Sequence, residues 1–282
     1  MIAPTAHSIT ESSAPSVSSG GNGRSVAARL RGVTVSYGGQ PALQNVSLDV
    51  PVGEIVAVVG PNGAGKTTFL KALLGLVPLD SGSIEVFGRP IDEVRSGVAY
   101  VPQTETVDWD FPITAGEVVV MGRYPHMGLW RRPGRADVEA VQGALETVQM
   151  RSLARRHIRQ LSGGQQQRIF IARALAQGAD LFLFDEPFAG VDAQTEHALF
   201  ELMGRLSREG KTLLIVNHDL SILDRFHSVL LLNRSVVACG PTAEVATPEN
   251  LRRTYGGRLQ FVERAEQALR EGPSDVSARP RR

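Results

Sequence analysis

The chain has 282 residues, 42% of them hydrophobic, enough to bury the core of one large domain or two modest ones. Its 30 basic and 29 acidic residues leave a net charge of +1, so no long-range field argues for nucleic acid or an acidic substrate. The lone cysteine, Cys239, excludes an intrachain disulfide and a cysteine-based zinc site. It reads as a small apolar residue in or near a strand, in a protein of a reducing compartment.

Residues 1–26 are rich in Ser, Ala, Gly and Thr, with almost no charge and no apolar periodicity. Such a composition does not offset the entropy of ordering, so this stretch reads as a disordered extension. It lacks a basic start followed by an apolar run, so no secretory signal is expected. Residues 28–35, 46–50 and 84–87 alternate in polarity over short spans punctuated by Gly and Pro, as antiparallel strands do. Four other runs, 55–59, 181–184, 213–216 and 229–232, are apolar throughout. Each has the length of a buried strand and falls far short of the about 20 residues that a membrane helix needs. Any membrane crossing is therefore expected of another chain. Strands apolar on both faces lie in parallel sheets covered by helices, and these runs alternate with helical stretches, which predicts an α/β core.

From about 104 to 165 the texture changes. Val138, Val141, Leu145 and Val148 mark one helix face and no strand signal stands out, which predicts a mainly helical insertion. Residues 263–282 are charged, with Gly272, Pro273 and a basic end at Arg279, Arg281 and Arg282. They read as a flexible solvated tail, with a weak contact to anionic lipid as the sharper alternative. The folded unit is thus expected at 27–262.

Gly60-Pro61-Asn62-Gly63-Ala64-Gly65-Lys66-Thr67-Thr68 joins the apolar run 55–59 to a helical stretch that starts at Phe69 and is closed by Gly75. Strand, glycine-rich loop and helix are the context of a phosphate-binding loop. Glycines let successive backbone N–H groups turn inward around phosphates, and the helix N-terminus adds partial positive charge there. Lys66 is expected to reach the terminal phosphates of a nucleotide and Thr67 to ligate Mg2+. The four defining positions arise by chance about once in a hundred chains of this length.

Leu161-Ser162-Gly163-Gly164-Gln165 precedes a helical stretch containing Ile169, Ala172, Leu175 and Ala176. Ser162 with Gln165 three residues on is a capping box, which suffices for the serine. It does not account for Gly163 and Gly164, poor helix formers whose place in a first turn suggests that something approaches the backbone.

This string resembles the signature motif of ABC ATPases, and with the phosphate loop the resemblance covers about 28–262. It implies a P-loop NTPase core with a parallel sheet, an antiparallel β subdomain and a helical subdomain, and ATP with Mg2+ as ligands. In that family the signature helix of one subunit points its N-terminus at the γ-phosphate bound on the other, which helix-terminus electrostatics favour. Tyr37 then matches the residue that stacks on adenine. Gln103 matches the glutamine that senses Mg2+ and the attacking water. Asp185 and Glu186 end the run 181–184; Asp185 is expected to hold Mg2+, usually through water, and Glu186 to polarise the attacking water. His218 matches the histidine that contacts the γ-phosphate. Asp192 matches the loop that crosses a dimer interface and equally suits the N-cap of a helix from Ala193.

Val107-Asp108-Trp109-Asp110-Phe111-Pro112, Val119-Val120-Met121-Gly122-Arg123-Tyr124, Leu129-Trp130-Arg131-Arg132-Pro133 and the Tyr255-Gly256-Gly257 region resemble the ATPases of bacterial manganese, zinc and iron importers. That resemblance implies a homodimer in the ATP-bound state, integral-membrane permease subunits, and an extracytoplasmic metal-binding protein that delivers cargo. It also implies a cytoplasmic site on the inner face of the plasma membrane. Asp108, Asp110 and His126 read as caps, turns and docking surface rather than sites for the transported metal. The alternatives are an importer of metal chelates or haem, and a soluble ABC ATPase of iron–sulfur assembly or nucleic-acid processing. A single cassette without a long coiled-coil insertion, at near-neutral charge, disfavours nucleic acid as a partner.

Overall fold

A computed structural model describes residues 25–103, 112–127 and 132–256. Nearly all of the extension 1–26, the string 107–111, residues 129–131, Gly257 and the tail 263–282 lie outside the described residues. In chain order the strands are β1 (Val26–Tyr37), β2 (Gln40–Pro51), β3 (Ile55–Val59), β4 (Ser81–Val86), β5 (Arg89–Pro90), β6 (Val98–Val101), β7 (Leu181–Asp185), β8 (Thr212–Val216), β9 (Ser228–Asn233) and β10 (Ser235–Pro241). The helices are α1 (Lys66–Leu73), α2 (Ile91–Val94), α3 (Ala115–Met121), α4 (Arg135–Thr147), α5 (Gly163–Gln177), α6 (Ala193–Arg208), α7 (Thr242–Val245) and α8 (Pro248–Tyr255).

Among the described residues the strands form two sheets, β2-β1-β4-β5 and β10-β9-β3-β8-β7-β6. The first is antiparallel, as the alternating segments predicted. In the second, β9, β3, β8, β7 and β6 run parallel, and β10 returns antiparallel on the edge, carrying the exposed Cys239. The apolar runs are the parallel strands, and all five residues of β3, β7 and β8 are buried.

Period-two geometry sorts these strands into two cores. Val56, Val58, Leu181, Leu183 and Leu214 face Phe69, Leu70 and Leu73 of α1 and the buried side of the antiparallel sheet. Ala57, Val59, Phe182, Phe184 and Ile215 face the opposite way, onto residues of α3 to α6 and α8. Each large side chain buried this way contributes about 1.5–3 kcal/mol relative to exposure, before entropy is charged. Between β6 and α5 the described residues form α3, α4 and short 3-10 turns. Here Val138 departs from expectation. The buried face of α4 is Val141, Ala144 and Leu145, continued by Val148, whereas Val138, one turn earlier, is 45% exposed.

Parallel pairing brings strand ends level. Val58 of β3 and Asp185 of β7 both lie opposite Val216 of β8, so the loops that leave β3, β7 and β8 emerge at one edge of the sheet. In open α/β sheets that carboxyl edge is where ligands bind. Among the described residues no helix is long and apolar enough to cross a membrane.

Candidate nucleotide site

The loop after β3 is held to its path by close backbone contacts. A Cβ at Gly60 would lie 1.9 Å from the carbonyl oxygen of Leu232, and one at Gly65 would lie 2.4 Å from that of Ala42. Gly63 and Gly65 have φ of 80° and 93°, the left-handed region in which side chains are disfavoured. Beyond them, α1 begins at Lys66 rather than at Phe69, so Lys66, Thr67 and Thr68 form the first helical turn. Asn62, Gly63 and Thr67 are exposed, Pro61, Gly65 and Thr68 are half-buried, and Gly60 and Ala64 are buried. Lys66 folds back over the loop, its Nζ donating to the carbonyl oxygens of Gly60 at 2.8 Å and Pro61 at 3.1 Å. Burial lowers the pKa of its ammonium, and the charges of Glu186 and Asp185 oppose that shift.

Asp185 closes β7 and is only 8% exposed. Burial pushes its pKa up, and the charge of Glu186 adds to this. Hydrogen bonds from Tyr100 and Thr67 and the charge of Lys66 oppose it. The Tyr100 hydroxyl donates to Asp185 Oδ2 at 3.2 Å. Glu186 follows with φ of 50°, a left-handed conformation that non-glycine residues adopt at a cost. Its N–H still donates to Val216 at 3.1 Å, so the ladder ends one residue later than β7 and the chain then turns away.

His218 leaves β8 through a turn fixed by Asn217, which is 3% exposed. Asn217 Nδ2 donates to the Asp219 carbonyl at 2.7 Å, its Oδ1 accepts from the Asp219 N–H at 3.2 Å, and its own N–H donates to Val58 at 3.1 Å. The imidazole Nδ1 of His218 is thereby placed 3.5 Å from Glu186 Oε2. Gln103, Glu186, Gly190, Glu196, Asn217 and His218 line one cleft of about 360 Å³.

A second group forms at the start of α5. Gln165 donates to Ser162 Oγ at 3.4 Å and Ser162 N–H donates to Gln165 Oε1 at 3.0 Å, closing the capping box. Gly164 touches the start of α6, since a Cβ there would lie 3.2 Å from Thr195 Cγ2; Gly163 faces open space. Thr195 in turn donates from its N–H and hydroxyl to Asp192, at 2.8 and 3.1 Å. Those bonds, the backbone one foremost, hold the Asp192 carboxyl below its ordinary range, and Asp192 is the N-cap of α6. Tyr37 ends β1 beside the hairpin turn and is half exposed.

Tyr100, Asn217 and Glu196 were not singled out by the sequence. Tyr100 carries a polar tip on an otherwise apolar strand, yet its target is visible only once β6 is known to pair with β7. Glu196 lines the cleft and pairs with Arg225 at 3.4 Å, across 29 residues of chain.

For a metal ion, the donors near the loop are the Asp185 carboxylate and the Thr67 hydroxyl. Few, hard oxygens suit Mg2+, which takes its remaining ligands from phosphates and water. Among the described residues no group of three or more His, Cys, Asp or Glu side chains could hold a metal. His126 Nε2 lies 2.7 Å from the Gln177 carbonyl oxygen, while Asp108 and Asp110 lie outside the described residues.

A family model described as ABC transporter matches residues 43–189. The chain is 52% identical over 244 residues, 86% of its length and 97% of the relative's, to the manganese transport system ATP-binding protein MntB of Bacillus subtilis. It is 50% identical over 234 residues, 83% of its length and 88% of the relative's, to the zinc transport system ATP-binding protein TroB of Treponema pallidum. Among solved structures it is similar to an ATP-binding cassette in a dimeric post-hydrolysis state bound to ADP and phosphate. That likeness has a TM-score of 0.65 at 28% identity and covers 76% of this chain and 98% of the other.

Proposed function

The chain belongs to the ABC transporter family of ATP-binding proteins, and on that premise we propose that it hydrolyses ATP to energise an importer of a transition metal ion, manganese, zinc or iron. The observation that carries hydrolysis is the placement of Glu186 and His218 3.5 Å apart, one residue beyond Asp185 and on the sheet edge from which the phosphate loop emerges. The manganese and zinc systems of its relatives support the cargo.

In this reading the phosphate-loop amides and Lys66 bind the β- and γ-phosphates. Lys66 exchanges its bonds to Gly60 and Pro61 for the phosphate oxygens. Asp185 and Thr67 would hold Mg2+, which when bound neutralises phosphate charge. Glu186 orients and polarises the attacking water, Gln103 and His218 flank it, and Tyr37 stacks on adenine. Ser162 and the amides of Gly163 and Gly164, with Asp192, are offered to the nucleotide of a second copy, so that ATP closes a homodimer and hydrolysis reopens it. The dimeric cassette with ADP and phosphate supports this arrangement. The ATPase unit runs over 27–262. It sits on the inner face of the plasma membrane, bound to integral-membrane permease subunits that an extracytoplasmic metal-binding protein supplies.

The test is elemental analysis of manganese, zinc and iron in metal-limited cells carrying the wild-type chain or Glu186→Gln. A selective fall in one metal in the variant names the cargo. Unchanged levels of all three would contradict metal import.

A further inference from the structure

Strand β6 ends beside the catalytic edge, and one of its side chains reaches across to β7. Tyr100 lies opposite Leu183 in the parallel ladder, two residues short of Asp185, and its hydroxyl spans that offset to donate to Asp185 Oδ2 at 3.2 Å. Asp185 is buried and Tyr100 half-buried, so the bond forms where a charge-assisted hydrogen bond is stronger than in open water. The main chain of Tyr100 is held a second time. Arg173 of α5, the helix that opens with Ser162 and Gly163, donates from Nη2 to the Tyr100 carbonyl at 2.8 Å. Its guanidinium also lies over the Phe170 ring, 5.0 Å from the centroid.

We propose that Tyr100 is a positioning residue for the magnesium-facing carboxylate: it holds Asp185 Oδ2 and leaves Oδ1 to face the cation. This rests on the reading of Asp185 as the carboxylate that faces Mg2+. A carboxylate that ends a strand can rotate about its Cα–Cβ and Cβ–Cγ bonds. One oxygen held by the half-buried Tyr100 hydroxyl, beside the bond from Thr67 to the same carboxylate, restricts that freedom before the cation arrives, which is how partners outside the ligand set tune metal affinity. Arg173 ties the main chain of the same residue to α5.

The experiment measures ATP affinity with Mg2+ and in excess chelator for the wild-type chain, Tyr100→Phe, Asp185→Asn and the double variant, with thermal unfolding alongside. Tyr100→Phe keeps the ring in its place in the sheet. The expected result is that it weakens MgATP binding about tenfold, the value of one hydrogen bond to a charged group, and leaves metal-free ATP binding unchanged. In the Asp185→Asn background the same substitution adds no further loss, because the two residues act through one contact. Tyr100→Phe with an unchanged ratio of MgATP to metal-free affinity, while Asp185→Asn lowers that ratio, overturns the proposal and leaves the reading of Asp185 intact. An unchanged ratio in Asp185→Asn overturns both. Tyr100→Phe that lowers the two affinities equally, with a lowered unfolding temperature, makes Tyr100 a packing residue and also overturns the proposal.

Discussion

His218 Nδ1 lies 3.5 Å from Glu186 Oε2, although the two residues are brought together only by the adjacent parallel strands β7 and β8. Neither side chain is buried, with side-chain exposures of 59% for His218 and 26% for Glu186, so a substrate-side water can reach both. His218→Ala is expected to lower ATP turnover about a hundredfold, in the range for loss of an acid–base partner, while changing ATP affinity far less. Steady-state phosphate release over a range of ATP concentrations separates the two effects.

Glu186 has φ of 50°, and its backbone is kept there by the bond from its N–H to Val216. Glu186→Gly removes the steric cost of that conformation. It should therefore leave stability unchanged or raise it by about 1 kcal/mol, and abolish hydrolysis. Urea unfolding checks the first part and phosphate release the second. A large loss of stability would mean that the Glu186 side chain packs the fold.

Gly60→Ala places a methyl 1.9 Å from the carbonyl oxygen of Leu232, a backbone atom that cannot swing aside. The expected outcome is destabilisation of more than about 3 kcal/mol, beyond the usual cost of overpacking, with loss of nucleotide binding. Gly63→Ala meets no neighbour within 4 Å and is strained only by its φ of 80°, so it should be the milder of the two in the same unfolding assay.

Which features were legible follows from how local they are. The apolar runs announced the parallel strands because apolarity on both faces is a property of four or five consecutive residues. The glycine-rich loop from Gly60 to Thr68 and the string from Leu161 to Gln165 are contiguous, so their residues could be named directly as candidates. Contacts that close over long separations left no such mark. Tyr100 and Asp185 are 85 residues apart, and nothing in either segment names the other. Periodicity grouped Val138 with Val141, Leu145 and Val148 on one helix face, yet Val138 is 45% exposed, because periodicity assigns a face and not the neighbours that cover it. The close approach expected at the paired glycines is half internal: Gly164 meets Thr195 of the same chain, and only Gly163 stays open.

Asp49 accepts from Arg31 at 2.9 Å and from Arg29 at 3.3 Å on the antiparallel sheet. The Arg31 hydrogen bond, foremost, holds its carboxyl below the ordinary range. A depressed folded-state pKa gives stability that is present above the unfolded-state pKa and is lost as pH falls through the folded one. Asp49→Asn should thus be less stable than wild type at neutral pH, and the gap should close in acid below the ordinary carboxylate range. Its size is at most about 1 kcal/mol, because the Asp49 and Arg31 side chains are 40% and 49% exposed and water screens the pair. Thermal unfolding of both proteins across pH measures it.

Sedimentation of purified Glu186→Gln with MgATP, with the bound nucleotide identified afterwards, bears most directly on a hydrolytic site shared between two copies. The predicted result is a dimer that retains two unhydrolysed ATP molecules and dissociates when Mg2+ is chelated. A monomer at saturating MgATP, or a variant that converts ATP to ADP at the wild-type rate, would contradict the role given to Glu186 and the composite site built around it.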